Sequence, residues 1–149
     1  MFHIHHSGII PAPGSQGENT ILGMQSKWEV VILGGGFAGL ACARRLEKLW
    51  GADTANRVLL VNAENYFVYQ PFLSEVIGAG IEPRHVMNPI RFSLRRCMVQ
   101  RAEVTNLDLQ QRRIEFTGDE GLGLEPVEAE HLVLALGSSI NLRAVPGMM

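Results

Sequence analysis

Glu29-Val30-Val31-Ile32-Leu33 is a short, mostly β-branched run that stops abruptly on three glycines. A continuously apolar run of this kind suits a strand buried on both faces, as in a parallel sheet. From Phe37 to Trp50 the period changes. Leu40, Ala43, Leu46 and Trp50 share one helical face, while Arg44, Arg45 and Lys48 fall on the other. Gly51 is placed to stop that helix. Arg57-Val58-Leu59-Leu60-Val61-Asn62 repeats the buried-strand pattern. Strand, glycine turn, helix and strand make a βαβ unit, expected to cross over right-handed.

The turn itself, Gly34-Gly35-Gly36-Phe37-Ala38-Gly39, fits G-x-G-x-x-G. Gly34 would allow the tight exit from the strand. Gly36 lacks a Cβ, so a pyrophosphate could approach the backbone there. Gly39 would let the helix pack closely on the strand. The helix N-terminus offers N–H groups and a partial positive charge to phosphates. The pattern alone is weak, but here it has the required strand before it and helix after it. The end of the second strand should meet a ribose, where an acid is usual. This chain has Asn62, with Glu64 as a rival. No arginine follows directly, which argues against a 2′-phosphate and so against NADP in this site.

Composition excludes several classes. The 149 residues suit one ordinary domain. Thirteen basic and 15 acidic side chains leave a net charge of −2, and the arginines are scattered along the chain, so no nucleic-acid footprint follows. Cys42 and Cys97 form no C-x-x-C pair and no zinc pattern. The most apolar stretch, Val30 to Ala43, is too short to span a bilayer. Residues 1–26 contain no Lys or Arg and read as a disordered leader without a signal-peptide n-region. His3, His5 and His6 lie in it and are expected to bind no metal, since no rigid element holds them.

The middle of the chain is less regular. Pro71 could open a short helix through Ile77, stopped by Gly78 and Gly80. Asn88-Pro89 predicts a helix to about Arg96. Cys97–Val104, Arg112–Thr117 and Val127–His131 are short strand candidates, separated by turns at Asp108–Gln111 and Gly118–Gly123. Leu132-Val133-Leu134-Ala135-Leu136, ending at Gly137, reads as a return to the parallel sheet. The expected fold is α/β, a Rossmann-like βαβ unit with a β-meander inserted before the last parallel strand.

A meander in that place is similar to the FAD domain of the two-dinucleotide-binding flavoproteins, where Ala135-Leu136-Gly137 would match the A-T-G-like turn. Further blocks sharpen the resemblance. The glycine loop is followed by Asn65-Tyr66-Phe67-Val68-Tyr69-Gln70-Pro71-Phe72-Leu73, then Glu82-Pro83-Arg84-His85 and Pro89-Ile90-Arg91. From residue 28 onwards the chain resembles the N-terminal part of a type II NADH dehydrogenase, the non-pumping NADH:quinone oxidoreductase.

That resemblance implies non-covalent FAD, a hydride from NADH, and electrons passed to a quinone. It also implies a peripheral place on the cytoplasmic side of the membrane, and it leaves a homodimer open. Carried over by position, Gly34, Gly35, Gly36, Phe37, Ala38 and Gly39 would hold the pyrophosphate. Asn62 and Ala63 would lie at the adenosine ribose, and Val104 would meet the adenine edge. Phe67, Gln70 and Pro71 would lie on the flavin side, with Ala135 and Gly137 lining the cofactor from the last strand. Residues 27–149 would then be an incomplete FAD/NAD(P)-binding domain, because relatives of this kind are longer and carry a second glycine fingerprint for NADH. Such a piece alone is expected to be inactive. Sulfide:quinone oxidoreductase is the nearest rival within the fold, and a non-catalytic nucleotide-binding module is the rival outside it. Neither cysteine is well placed for the sulfide chemistry.

Overall fold

The computed structural model describes residues 25–118 and 124–138. The expected leader therefore lies outside the described residues except at its end. There Gln25 and Ser26 are already held, with the Trp28 indole donating to the Gln25 carbonyl at 2.9 Å and the Glu128 N–H to Ser26 at 2.8 Å.

The βαβ unit forms as expected. Strand β1 (Lys27–Leu33), helix α1 (Phe37–Trp50) and strand β2 (Val58–Asn62) follow one another, and β1 and β2 pair in parallel with Val30 opposite Val58. The continuous apolar runs are explained by two-sided burial. Val31 and Leu33 enter one core cluster, and Val30 and Ile32 the other. Leu40 and Ala43 of α1 are buried in the second cluster, with Leu46 and Trp50 packed against it, while Arg44, Arg45 and Lys48 are exposed. Gly51 ends the helix at φ +58°, its N–H on the Glu47 carbonyl. A short 3-10 turn then leads to β2. At the far end of the sheet, Arg57 grips both Glu29 carboxylate oxygens at 2.5 and 2.6 Å and lies 3.9 Å from the Trp50 ring. The Arg57 hydrogen bond holds the Glu29 carboxyl below the usual carboxylate range.

The middle departs from expectation in several places. Strand β3 (Tyr66–Val68) is followed by a 3-10 turn at Gln70–Phe72, helix α2 (Leu73–Ile77) and helix α3 (Pro83–Val86). The α2 segment matches the reading from Pro71, whereas α3 carried no signal beyond its Pro. The helix predicted from Asn88-Pro89 does not start there. Both residues belong to strand β4 (Met87–Pro89), antiparallel to β3, and helix α4 covers only Ile90–Ser93. The physical reason lies in α1. Glu47 Oε1 accepts the N–H groups of Arg95, Arg96 and Cys97 at 2.8, 2.6 and 2.8 Å. Those donors would otherwise have continued the helix, and a carboxylate is a stronger acceptor than a carbonyl.

Cys97–Val104 is two strands and not one. Strand β5 (Met98–Arg101) adds to the parallel sheet beside β2, and strand β6 (Glu103–Asp108) pairs antiparallel with β7 (Arg113–Thr117). Val127–His131 and the following apolar run, conversely, form one strand, β8 (Val127–Leu134), parallel to β1 and antiparallel to β7. The meander is thus β6–β7–β8, and its last member is itself the parallel strand. Leu134 and Leu136, at the end of this apolar run, are exposed by 53% and 65%. The sheet order is β5-β2-β1-β8-β7-β6. Since β5 and β6 stand at opposite ends of that order yet are joined by Ala102 alone, the sheet curls over itself. Ile114 and Phe116 of β7 then cover Val31, Leu33, Leu59 and Val61 in one cluster, and α1 and α4 cover the opposite face. The turn expected at Asp108–Gln111 is held by Asp108 Oδ1, which accepts from Gln110 and Gln111 at 2.8 and 2.9 Å. Residues 119–123 of the second expected turn lie outside the described residues.

Candidate functional site

Following β1, the chain continues through α1 to β2 on one side, while β8 flanks β1 on the other. In open α/β sheets the crevice for ligands opens beyond the carboxyl ends of strands at such a reversal. A cleft of about 880 Å³ lies there, walled by the loop Gly34–Ala38, by Asn62 and Glu64, by Tyr66–Val68 and Gln70, and by Leu134–Ser138. A second cleft of about 450 Å³ lies alongside, between Asn62–Ala63, Ala102–Leu107 and Leu136. Gly34, Asn62 and Leu136 border both, so the two make one elongated trough across the ends of β1 and β2.

The glycines have separate reasons. Gly34 has φ +106°, and a Cβ there would run into the Ala135 carbonyl, because Ala135 N–H reaches back to Leu33 at 2.8 Å. At Gly35 a Cβ would come within 2.5 Å of Ile90 Cδ1 and 3.0 Å of Asn62 Cγ. A Cβ on Gly39 would strike the Gly34 carbonyl oxygen. That glycine therefore seats the helix on the loop as much as on the strand. Gly36 differs from all three. A Cβ there meets nothing within 4 Å, and the residue faces the large cleft. Gly36 is also the N-cap of α1, without a side-chain cap and with no acid in the first turn. The open space over Gly36, a helix start with no side-chain cap, and two adjoining clefts on either side of it fit a dinucleotide such as FAD or NAD.

Most of the residues singled out in the sequence come together here. Gly34, Gly35, Gly36, Phe37, Ala38, Asn62, Phe67, Gln70, Ala135 and Gly137 line the large cleft, and Ala63 and Val104 the small one. Gly39 and Pro71 line neither. Gly39 is buried beneath the loop, and Pro71 is exposed in its 3-10 turn. Phe37 and Phe67 stack edge-on at 4.6 Å between centroids, with Tyr69 5.6 Å from Phe37 and Phe72 4.9 Å from Tyr69. This aromatic wall forms only when β3 meets the start of α1. Sequence reasoning also missed Ile90, which backs Gly35 from α4, and Arg101, whose Nε donates to the Ala63 carbonyl at 3.2 Å. A cation does reach the end of β2, from a strand that sequence adjacency could not connect to it. Among the described residues no group of His, Cys, Asp and Glu could hold a metal, and no helix is long and apolar enough to cross a membrane.

Neither cysteine faces the trough. Both belong to the cluster between α1 and the sheet. Burial, with the Glu47 carboxylate nearby, pushes the Cys97 thiol up to about 12, and burial raises Cys42 as well. A thiol that stays protonated is a poor nucleophile. In the native protein at pH 8, Cys97 is therefore expected to resist a disulfide reagent such as DTNB and to react only on unfolding. Rapid stoichiometric labelling of Cys97 in the folded state would contradict this placement.

Residues 28–149 match the model of the pyridine nucleotide-disulphide oxidoreductase family. The chain belongs to this family. Demethylphylloquinone reductase NdbB of Synechocystis sp. is 33% identical over 122 residues, covering 80% of this chain and 30% of the relative. Type II NADH:quinone oxidoreductase of Staphylococcus epidermidis is 29% identical over 126 residues, covering 83% and 30%. NDH2 from Plasmodium falciparum, solved in complex with NADH, superposes with a TM-score of 0.62 at 22% identity, covering 83% of this chain and 25% of that one. The superposition shows that the fold is shared with that NDH2 structure, and the chain spans less than a third of each relative's length.

Proposed function

We propose that this chain holds the FAD of an NADH:quinone oxidoreductase of the type II class, acting at the cytoplasmic side of a membrane. The observation that carries the proposal is the open seat over Gly36, at the start of α1 and midway along a trough that runs from Val104 to Gln70. In this reading the loop Gly35–Ala38 receives the pyrophosphate. The adenosine lies toward Ala63 and Val104, and the isoalloxazine lies toward Phe67, Gln70 and the Ala135–Gly137 turn. Bound flavin would supply hydride acceptance from NADH and electron delivery to a quinone. The protein's part is to bind and to orient, with Phe37 and Phe67 lining the cleft beside the glycine loop. Two relatives with quinone-reducing names support the acceptor class.

The test is purification of the protein as its gene encodes it. Flavin absorption bands and NADH oxidation coupled to a quinone are expected. An absorption spectrum without flavin, with NAD alone bound, would refute the proposal. The buried cysteines give the discriminating arm against sulfide oxidation. The Cys42→Ser/Cys97→Ser double variant should keep NADH–quinone turnover within about threefold, whereas sulfide chemistry needs a reactive thiol. A loss of several orders of magnitude with flavin retained would favour the sulfide reading.

A further inference from the structure

The residue at the end of β2 is where an acidic group ordinarily accepts bonds from a ribose. Here it is an amide with both ends engaged. Asn62 Oδ1 accepts the Gly35 N–H at 2.7 Å, and Nδ2 donates to the Glu64 carbonyl at 2.7 Å. Its backbone carbonyl accepts the Ala102 N–H at 3.0 Å, and the preceding Val61 carbonyl takes the Gly34 N–H at 2.8 Å. The end of β2 thus hooks two successive N–H groups of the glycine loop. A Cβ on Gly35 would run into Ile90 Cδ1 and Asn62 Cγ, so the loop sits closely on this hook. The amide satisfies both partners at once, because the first needs an acceptor and the second a donor. A carboxylate would keep the Gly35 bond and set a negative charge against the Glu64 carbonyl.

We infer that Asn62 is a positioning residue for the phosphate loop and not a ribose ligand. It locks Gly35 so that Gly36 and the start of α1 face the trough, and it ties that loop to the segment leading into β3. The inference rests on the dinucleotide-binding reading above. It departs from the ribose role that sequence position alone implies.

The two roles separate when a ligand with phosphates is compared with one without. In the Asn62→Leu variant of the full chain, FAD affinity should fall at least tenfold, while the affinity for adenosine stays within twofold of the unaltered protein. In the ligand-free state, hydrogen exchange at the Gly35 amide should rise at least tenfold, with Val31 in β1 unchanged. An equal loss for adenosine and FAD, or an unchanged Gly35 exchange rate, overturns the inference. If the unaltered protein binds neither ligand, the dinucleotide reading fails, and the Gly35 exchange comparison still decides whether Asn62 holds the loop. Should the Leu variant fail to fold, Asn62→Asp serves instead. Its carboxylate still accepts from Gly35, so the Gly35 exchange rate should stay within about threefold of the unaltered protein. A tenfold rise in that variant would overturn the inference.

Discussion

Gly36→Leu is expected to leave the fold intact and to reduce FAD affinity at least 100-fold. The two halves of that expectation come from different facts. Gly36 has φ −76°, which any residue adopts, and a Cβ there meets no atom within 4 Å. Loss of a glycine N-cap costs about 1 kcal/mol or less, so the unfolding midpoint should shift by only a few degrees. The leucine side chain must then occupy the space over the start of α1, where the proposed pyrophosphate lies. A 100-fold loss corresponds to about 2.7 kcal/mol of binding. Paired measurements of thermal unfolding and flavin retention check both halves. Normal FAD binding by the folded variant would remove Gly36 from the phosphate site. A collapse in stability would show that the space is needed by the protein itself.

The parts of the site legible in the sequence were those where one local pattern has one structural outcome. Val30–Leu33 and Val58–Val61 had to be buried on both faces, and the glycine run between them had to turn. That was enough to place Gly34–Ala38 and Asn62 together at the carboxyl ends of β1 and β2. The Tyr66–Gln70 block joined them through family resemblance and not through periodicity. What stayed hidden depends on partners far along the chain. Ile90 backs Gly35, Arg101 reaches Ala63, and the Asn62 amide is consumed by Gly35 and Glu64. None of these follows from spacing.

The fold shows the same division. Asn88-Pro89 has good helix-start chemistry, but β3 offers a strand partner and Glu47 removes the N–H groups that a longer helix would use. Tertiary partners overrode local preference there. In the stretch Cys97–Val104, an apolar and polar alternation concealed a change of partner at Ala102, from β2 to β7. The reverse happened in β8. Its first half alternates because Glu128 and Glu130 are exposed and Val127 and Ala129 buried, and its second half does not, so one strand looked like two.

Gly39→Ala should destabilise the protein by about 3 kcal/mol or more, although general helix chemistry points the other way. Gly39 lies in the first turn of α1, and replacing a helical glycine by alanine normally gains up to about 1 kcal/mol. Here the new methyl group would strike the Gly34 carbonyl oxygen, a backbone atom with nowhere to go. Gly34 is fixed by its own N–H bond to Val61, and a shift would press it toward Ala135. Ile32 Cγ2, 3.4 Å from the same position, blocks the other direction. The helix must therefore move away from the loop, opening the packing of Leu40 and Ala43 on the sheet. Overpacking of a filled site costs about 1–3 kcal/mol when side chains can adjust, and more is expected when the obstacle is backbone. Urea unfolding of the two proteins side by side measures the difference. A variant as stable as the parent, or more stable, would mean that helix propensity outweighs the contact and that the loop and helix are less closely seated than Gly34 and Gly39 indicate.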